Sequence, residues 1–236
     1  MSWLLLLLCC GTMWIGAAAT TKNGLTSMGI HVMSKKQTKE STVIYQLKIV
    51  LRGVHPPVLR VLQIRGDASL GKLHDYLQGV MGWTDSHLHE FKIKGERYRD
   101  AEQMYEDSIE PDMYDEKKHT LSKLLKEGDT FEYEYDFGDC WEHDILVEKI
   151  IPPQEGIYYP LCLYGERSCP PEDCGGPWGY EDLLNIIKNP THEDHKQYSE
   201  WAGKGFDPVK FDIAKTNWTL DKIKSNLREP RGDWAM

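Results

Sequence analysis

Apolar and polar residues along this chain recur with two periods. Alternation at every second position marks a strand with one buried face, and spacing of three and four marks a helix. Val43, Tyr45, Leu47, Ile49 and Leu51 alternate, which predicts a strand. His55-Pro56-Pro57 turns the chain into a second strand over Val58 to Arg65. Leu70, Leu73, Leu77 and Val80 form a helical stripe, with Asp67 and Ser69 as candidate N-caps and Gly82 as the stop.

Alternation returns from His87 to Ile93, where His89, Phe91 and Ile93 face one way and Leu88, Glu90 and Lys92 the other. Gly95 turns into a short strand near Tyr98. Asp100 to Glu116 is acidic and aperiodic and reads as a solvated loop, and Leu121 to Leu125 as a short helix closed by Gly128. Thr130 to Phe137 sets Phe131, Tyr133, Tyr135 and Phe137 against Glu132, Glu134 and Asp136. Gly138-Asp139 makes a tight turn, and Trp141 to Ile151 returns with Trp141, His143, Ile145 and Val147 aligned. After Pro152-Pro153, Tyr159 to Pro177 reads as a loop held by Pro, Gly and Cys. Helices are expected over Tyr180 to Lys188, over Glu193 to Trp201, and from a Thr219 cap through Leu227. Helices segregated from a mostly antiparallel sheet make an α+β domain over residues 42–228, preceded by a leader over 1–41 and followed by a tail over 229–236.

Charge narrows the partners. The 236 residues carry 28 Lys and Arg against 37 Asp and Glu, a net charge of −9. Phosphate backbones repel such a chain unless a basic patch is segregated, and the densest basic stretch is Lys35-Lys36 with Lys39, so non-specific nucleic-acid binding is disfavoured. Met1 to Thr21 is uncharged, with an apolar run over Leu4 to Cys10 and small residues at Ala17 to Ala19. That reads as a targeting segment, but no Lys or Arg precedes the run, and Gly11, Thr12 and Gly16 interrupt it. Met33-Ser34-Lys35-Lys36 reads as the start of a cytosolic frame. The expectation is a cytoplasmic protein without membrane association, with export through the 1–19 leader as the alternative. The Asn217-Trp218-Thr219 sequon matters only on export.

Several segments together carry a family likeness: LRGVHPPVLR, LGKLHDYLQGVMGW, DSHLHEF, FEYEYDFGDCWEH, YPLC, CPPEDCGGPWGY and FDP. Over roughly Tyr45 to Leu220 the chain resembles the plasmid pRiA4b ORF-three-like family, also described as insertion-element passenger TnpR-like domains. The resemblance implies an α/β roll and association with mobile elements, and no activity. Where the family has an aromatic followed by two Arg after the Pro-Pro pair, this chain has Leu59, Arg60 and Val61.

Two segments, YDFGDCWEH and CPPEDCGGPWGY, are densest in reactive side chains. Cys162, Cys169 and Cys174 with His143 would complete a tetrahedral zinc site; buried thiols, or a disulfide on export, are the other readings. His89 and His143 lie on apolar strand faces and are either satisfied core residues or an acid–base or metal-binding pair. His87 beside Asp85 either caps a turn or joins that pair, and His74 sits at the core edge of the first helix. Asp136 and Asp139 flank the Gly138 turn, as turn formers or as ligands of a hydrolytic cation. Glu172, Asp173 and Gly175-Gly176 before a helix form a weak anion-cradle motif. Two functions follow. The first is an interaction or scaffold domain whose protein partner docks on Trp178 and Tyr180. The second is a metal-dependent enzyme, such as a phosphoester hydrolase, using His, Cys and Asp.

Overall fold

Alternating aromatic residues build the centre of the sheet. In the computed structural model, which describes residues 42–103, 113–203 and 205–225, β6 (Thr130–Tyr135) and β7 (Trp141–Ile151) pair as the predicted hairpin. Around it lie β1 (Ile44–Leu51), β2 (Leu59–Arg65), β3 (His89–Ile93), β4 (Glu96–Arg99), β5 (Met113–Asp115) and β8 (Leu161–Glu166). The strand order is β5-β4-β3-β6-β7-β1-β2-β8, antiparallel except for the β4–β5 pair. Helix α1 (Leu70–Met81) follows the first two strands, α2 (Leu121–Leu124) precedes the hairpin, and α3 (Gly176–Lys188), α4 (His195–Trp201) and α5 (Ile213–Lys224) end the domain. This is the expected α+β layout.

One sheet face and one helix face share the core. Leu47, Ile49, Phe91, Tyr133, Ile145 and Val147 are buried from the sheet, and Leu70, Leu73, Leu77 and Val80 from α1. Ser69 caps α1 by accepting from Lys72 N, and Gly82 ends it with φ 89°, a left-handed conformation that favours glycine. Gly79 lets α5 approach: a Cβ there would lie 2.5 Å from Ile223 Cδ1.

At the β8 edge the Asn217 side chain does the work of a strand. Its Nδ2 donates to Cys162 O (3.0 Å) and its Oδ1 accepts from Cys162 N (2.8 Å). The sequon's amide is therefore occupied by the fold. We expect Asn217→Ala to orphan both groups at a cost of about 1–2 kcal/mol. Urea unfolding checks this, and an unchanged midpoint would refute it.

The structure corrects several expectations. Residues 159–177 are not all loop, because β8 pairs with β2 there. The last helix begins at Ile213 on an Asp212 cap that accepts from Lys215 N, so Thr219 lies mid-helix. The hairpin strand stops at Tyr135, since Asp136 takes φ 58°. Within 100–116 the described part holds a 3-10 turn and β5, and Glu116 is buried rather than solvated. Residues 104–112, the 1–41 leader, and the tail from 226 lie outside the described residues. No helix among the described residues is long and apolar enough to cross a membrane.

Candidate functional site

Three loops meet at one rim of the sheet: the segment after α1, the β6–β7 turn and the Cys-Pro loop before α3. Trp83 stacks on Tyr135 with centroids 4.9 Å apart and donates from Nε1 to Pro170 O (3.0 Å). Glu172 ties the loops together. One of its oxygens accepts from the Tyr135 hydroxyl (2.5 Å) and the other from Thr84 N and Oγ1 (3.0 and 2.6 Å). Burial and that carboxylate hold the Tyr135 hydroxyl well above its ordinary pKa, so it stays a donor. Asp139 Oδ2 accepts from Gly175 N (3.2 Å), and a Cβ on Gly176 would meet Asp139 O at 2.4 Å. The glycines thus serve close approach to the hairpin turn, and Asp139 occupies the helix end that the anion-cradle reading left open.

Three donors converge at this rim. His87 Nε2 stands 3.2 Å from Asp173 Oδ1 and 3.6 Å from Asp136 Oδ2. The nitrogen is shielded from solvent yet makes a directed hydrogen bond to neither. Two donors bonded to one tetrahedral ion at ~2.1 Å lie about 3.4 Å apart, so the two spacings bracket that value. Asp136 Oδ1 is held by Gly138 N (2.9 Å) and Asp139 N (3.3 Å), which leaves Oδ2 to face His87. Asp136 and Asp173 both take positive φ, 58° and 60°, a conformation Asp tolerates better than most residues. Asp136 is buried and Asp173 exposed, so the group opens to solvent on the Asp173 side. Asp173 also lines a cleft of about 310 Å³ with Cys174, Leu183, Gln197, Tyr198 and Trp201.

Beneath the rim lies a second polar group. The His74 and His89 rings stack 3.5 Å apart at 7°. Gln78 Nε2 donates to the Tyr133 hydroxyl (3.1 Å), which donates to His74 Nδ1 (2.8 Å). His74 Nε2 then carries the proton and donates to Asp85 Oδ1 (2.9 Å), and burial lowers the pKa of His74, which keeps the ring neutral. His89 Nε2 meets Glu116 Oε2 at 2.8 Å, with both side chains 2% exposed. His74, Asp85 and His89 also bring donor atoms within 4.8 Å of one another. An ion shared by the stacked rings would lie half of their 3.5 Å separation out of each plane, whereas the nitrogen lone pairs lie in plane. The stack is a hydrogen-bonded core pair.

The predicted residues fall differently. His89 and His143 do not converge: β6 lies between their strands, two spacings of ~4.8 Å, and the Tyr133 ring contacts both. Among the described residues the two donor groups contain neither a cysteine nor His143, so the Cys162, Cys169, Cys174 and His143 set is not assembled. All four described cysteines are free thiols; burial raises Cys162 and Cys169 and pushes Cys174 up to about 12. Tyr180 is 1% exposed and cannot anchor a partner, while Trp178 is 82% exposed. Asp136 joins the rim group, and Asp139 is a loop tie. Reading residues singly missed the role of Glu172, Glu116 and the pairing of His87 with Asp173. The adjacent Glu172-Asp173 carboxylates were the available signal.

His143 is fully buried, with Nδ1 donating to Tyr133 O (3.2 Å). Burial lowers it from 6.5 to about 4. The unfolded chain therefore takes up this proton first. The group's contribution is complete above pH 6.5 and is lost as pH falls to about 4, a gap worth about 3 kcal/mol. We expect His143→Phe to flatten the stability profile across that window, and equal acid slopes in both proteins would count against it.

The plasmid pRiA4b ORF-3-like protein family model matches residues 43–215. An uncharacterised protein of Sinorhizobium fredii, y4hQ, is 33% identical over 183 residues, covering 76% of this chain and 92% of that protein. The crystal structure of MM3350, a protein of unknown function from Methanosarcina mazei, is similar with a TM-score of 0.67 and 36% identity. That match covers 73% of this chain and 97% of the other.

Proposed function

The chain belongs to the plasmid pRiA4b ORF-3-like protein family, and from the geometry of its rim we propose that it is a metal-dependent enzyme domain holding a divalent cation through His87, Asp136 and Asp173. The observation that carries this is the His87 nitrogen set 3.2 and 3.6 Å from two carboxylates and directed at neither. One imidazole and two carboxylates suit zinc or a similar first-row ion. Three protein donors leave a position for water, and a bound cation lowers that water's pKa toward neutrality. The free thiols support a reducing, cytoplasmic compartment.

Purified, tag-free protein is expected to hold about one zinc-class ion per chain. Asp173→Asn, at an exposed position, is expected to weaken binding at least ~10-fold with an unchanged fold. Equal metal content in the two proteins would sink the reading. A protein-docking role keeps one specific support, the exposed Trp178. That role predicts a metal-free protein, whereas the enzyme reading predicts a loaded one.

A further inference from the structure

The cleft beside the rim has a chemistry of its own. Asp173 is both a donor of the rim group and a wall of the cleft, so a cation held by the rim group would border the cleft. The volume of about 310 Å³ falls at the small end of ligand pockets. Tyr198 and Trp201 from α4 provide flat apolar surface, Leu183 from α3 is fully buried, and Gln197 offers an amide.

Charge selects among substrates. Two aspartates and a dication sum to zero. Glu172 and Asp139 add negative charge around the same loops. Among the described lining residues none is Lys or Arg. A phosphoester brings one or two negative charges, and phosphate sites ordinarily answer them with Arg or Lys. An amide or ester carbonyl brings none, and its oxygen is a ligand a cation polarises.

We infer that the α3–α4 cleft is the ligand pocket of the rim site and takes an uncharged molecule with a flat apolar body and a carbonyl group, an amide or ester rather than a phosphoester. This rests on the metal-dependent reading. In hydrolysis, the oxygen of water bonds to the carbonyl carbon and the bond to the amine or alkoxide breaks. The proton given up by water goes to the leaving group. No other reactant is needed.

Binding tests this without a known substrate. The probes are benzohydroxamic acid, acetohydroxamic acid and phenyl phosphate, titrated against zinc-loaded protein by calorimetry. Benzohydroxamic acid is expected to bind about 10-fold more tightly than acetohydroxamic acid, because its ring stacks on Trp201. It is also expected to bind more tightly than phenyl phosphate. Trp201→Ala is expected to erase the ring preference and leave zinc content unchanged. Equal affinities for the two hydroxamates, a preference for phenyl phosphate, or no binding to zinc-loaded protein would each overturn the inference while leaving the metal site standing. Protein that takes up no zinc would overturn both.

Discussion

Arg60→Met is expected to lower the unfolding free energy by about 4 kcal/mol, the largest single effect among these variants. Arg60 is 2% exposed. Its guanidinium donates to Val80 O (2.8 Å), Leu59 O (2.7 Å) and Glu166 O (2.8 Å). It also sits 4.3 Å from the Phe211 ring centroid. An orphaned buried carbonyl, as at Val80, costs about 1–3 kcal/mol, the part-buried carbonyls of Leu59 and Glu166 cost less each, and losing the desolvated charge offsets part of the sum. Methionine preserves much of the volume, so the loss reads out hydrogen bonds rather than a cavity. Arg60 joins the last turn of α1 to β8, and both frame the rim. Urea titration of both proteins measures the difference, and a loss under ~1 kcal/mol would show that the three carbonyls do not depend on Arg60.

Gly179→Ala is expected to strike the site itself. A Cβ at Gly179 would lie 1.9 Å from Cys174 O, and backbone must move to relieve it. Cys174 directly follows Asp173, so the shift passes to the proposed ligand. The expected cost is about 3 kcal/mol in stability, as for overpacking of rigid atoms, with at least ~10-fold weaker metal binding. Circular dichroism and competitive zinc titration check the two parts. A folded variant with native zinc affinity would break the link between the first turn of α3 and the site.

The strands that could be read from the chain are those with long alternation. Residues 45–51, 131–135 and 141–147 each bury every second side chain, so their period is visible. β8 was not visible, because an edge strand buries only Cys162 and sits among Pro, Gly and Cys. The start of α5 was missed for a related reason: Leu220 is its one buried residue, so little apolar stripe marks the helix. Alternation placed His89 and His143 on the correct, buried face. It carried no information about the strand between them, which keeps them apart.

The rim was legible in pieces only. His87, Asp136 and Asp173 stand 49 and 37 positions apart in the chain, the first two at the ends of alternating segments and the third in a loop without period. Their convergence comes from the β3–β6–β7 pairing and from the Glu172 tie to Thr84 and Tyr135. The two dense segments contribute Asp136 and Asp173 to the proposed site. What they lacked was the third, DSHLHEF, which supplies the imidazole.

The most direct measurement is an anomalous difference map from crystals of the full chain grown with zinc. The account predicts one peak about 2.0–2.2 Å from His87 Nε2 and from carboxylate oxygens of Asp136 and Asp173. A zinc peak on Cys169 and Cys174, or none at the rim in crystals that hold zinc elsewhere, would contradict it.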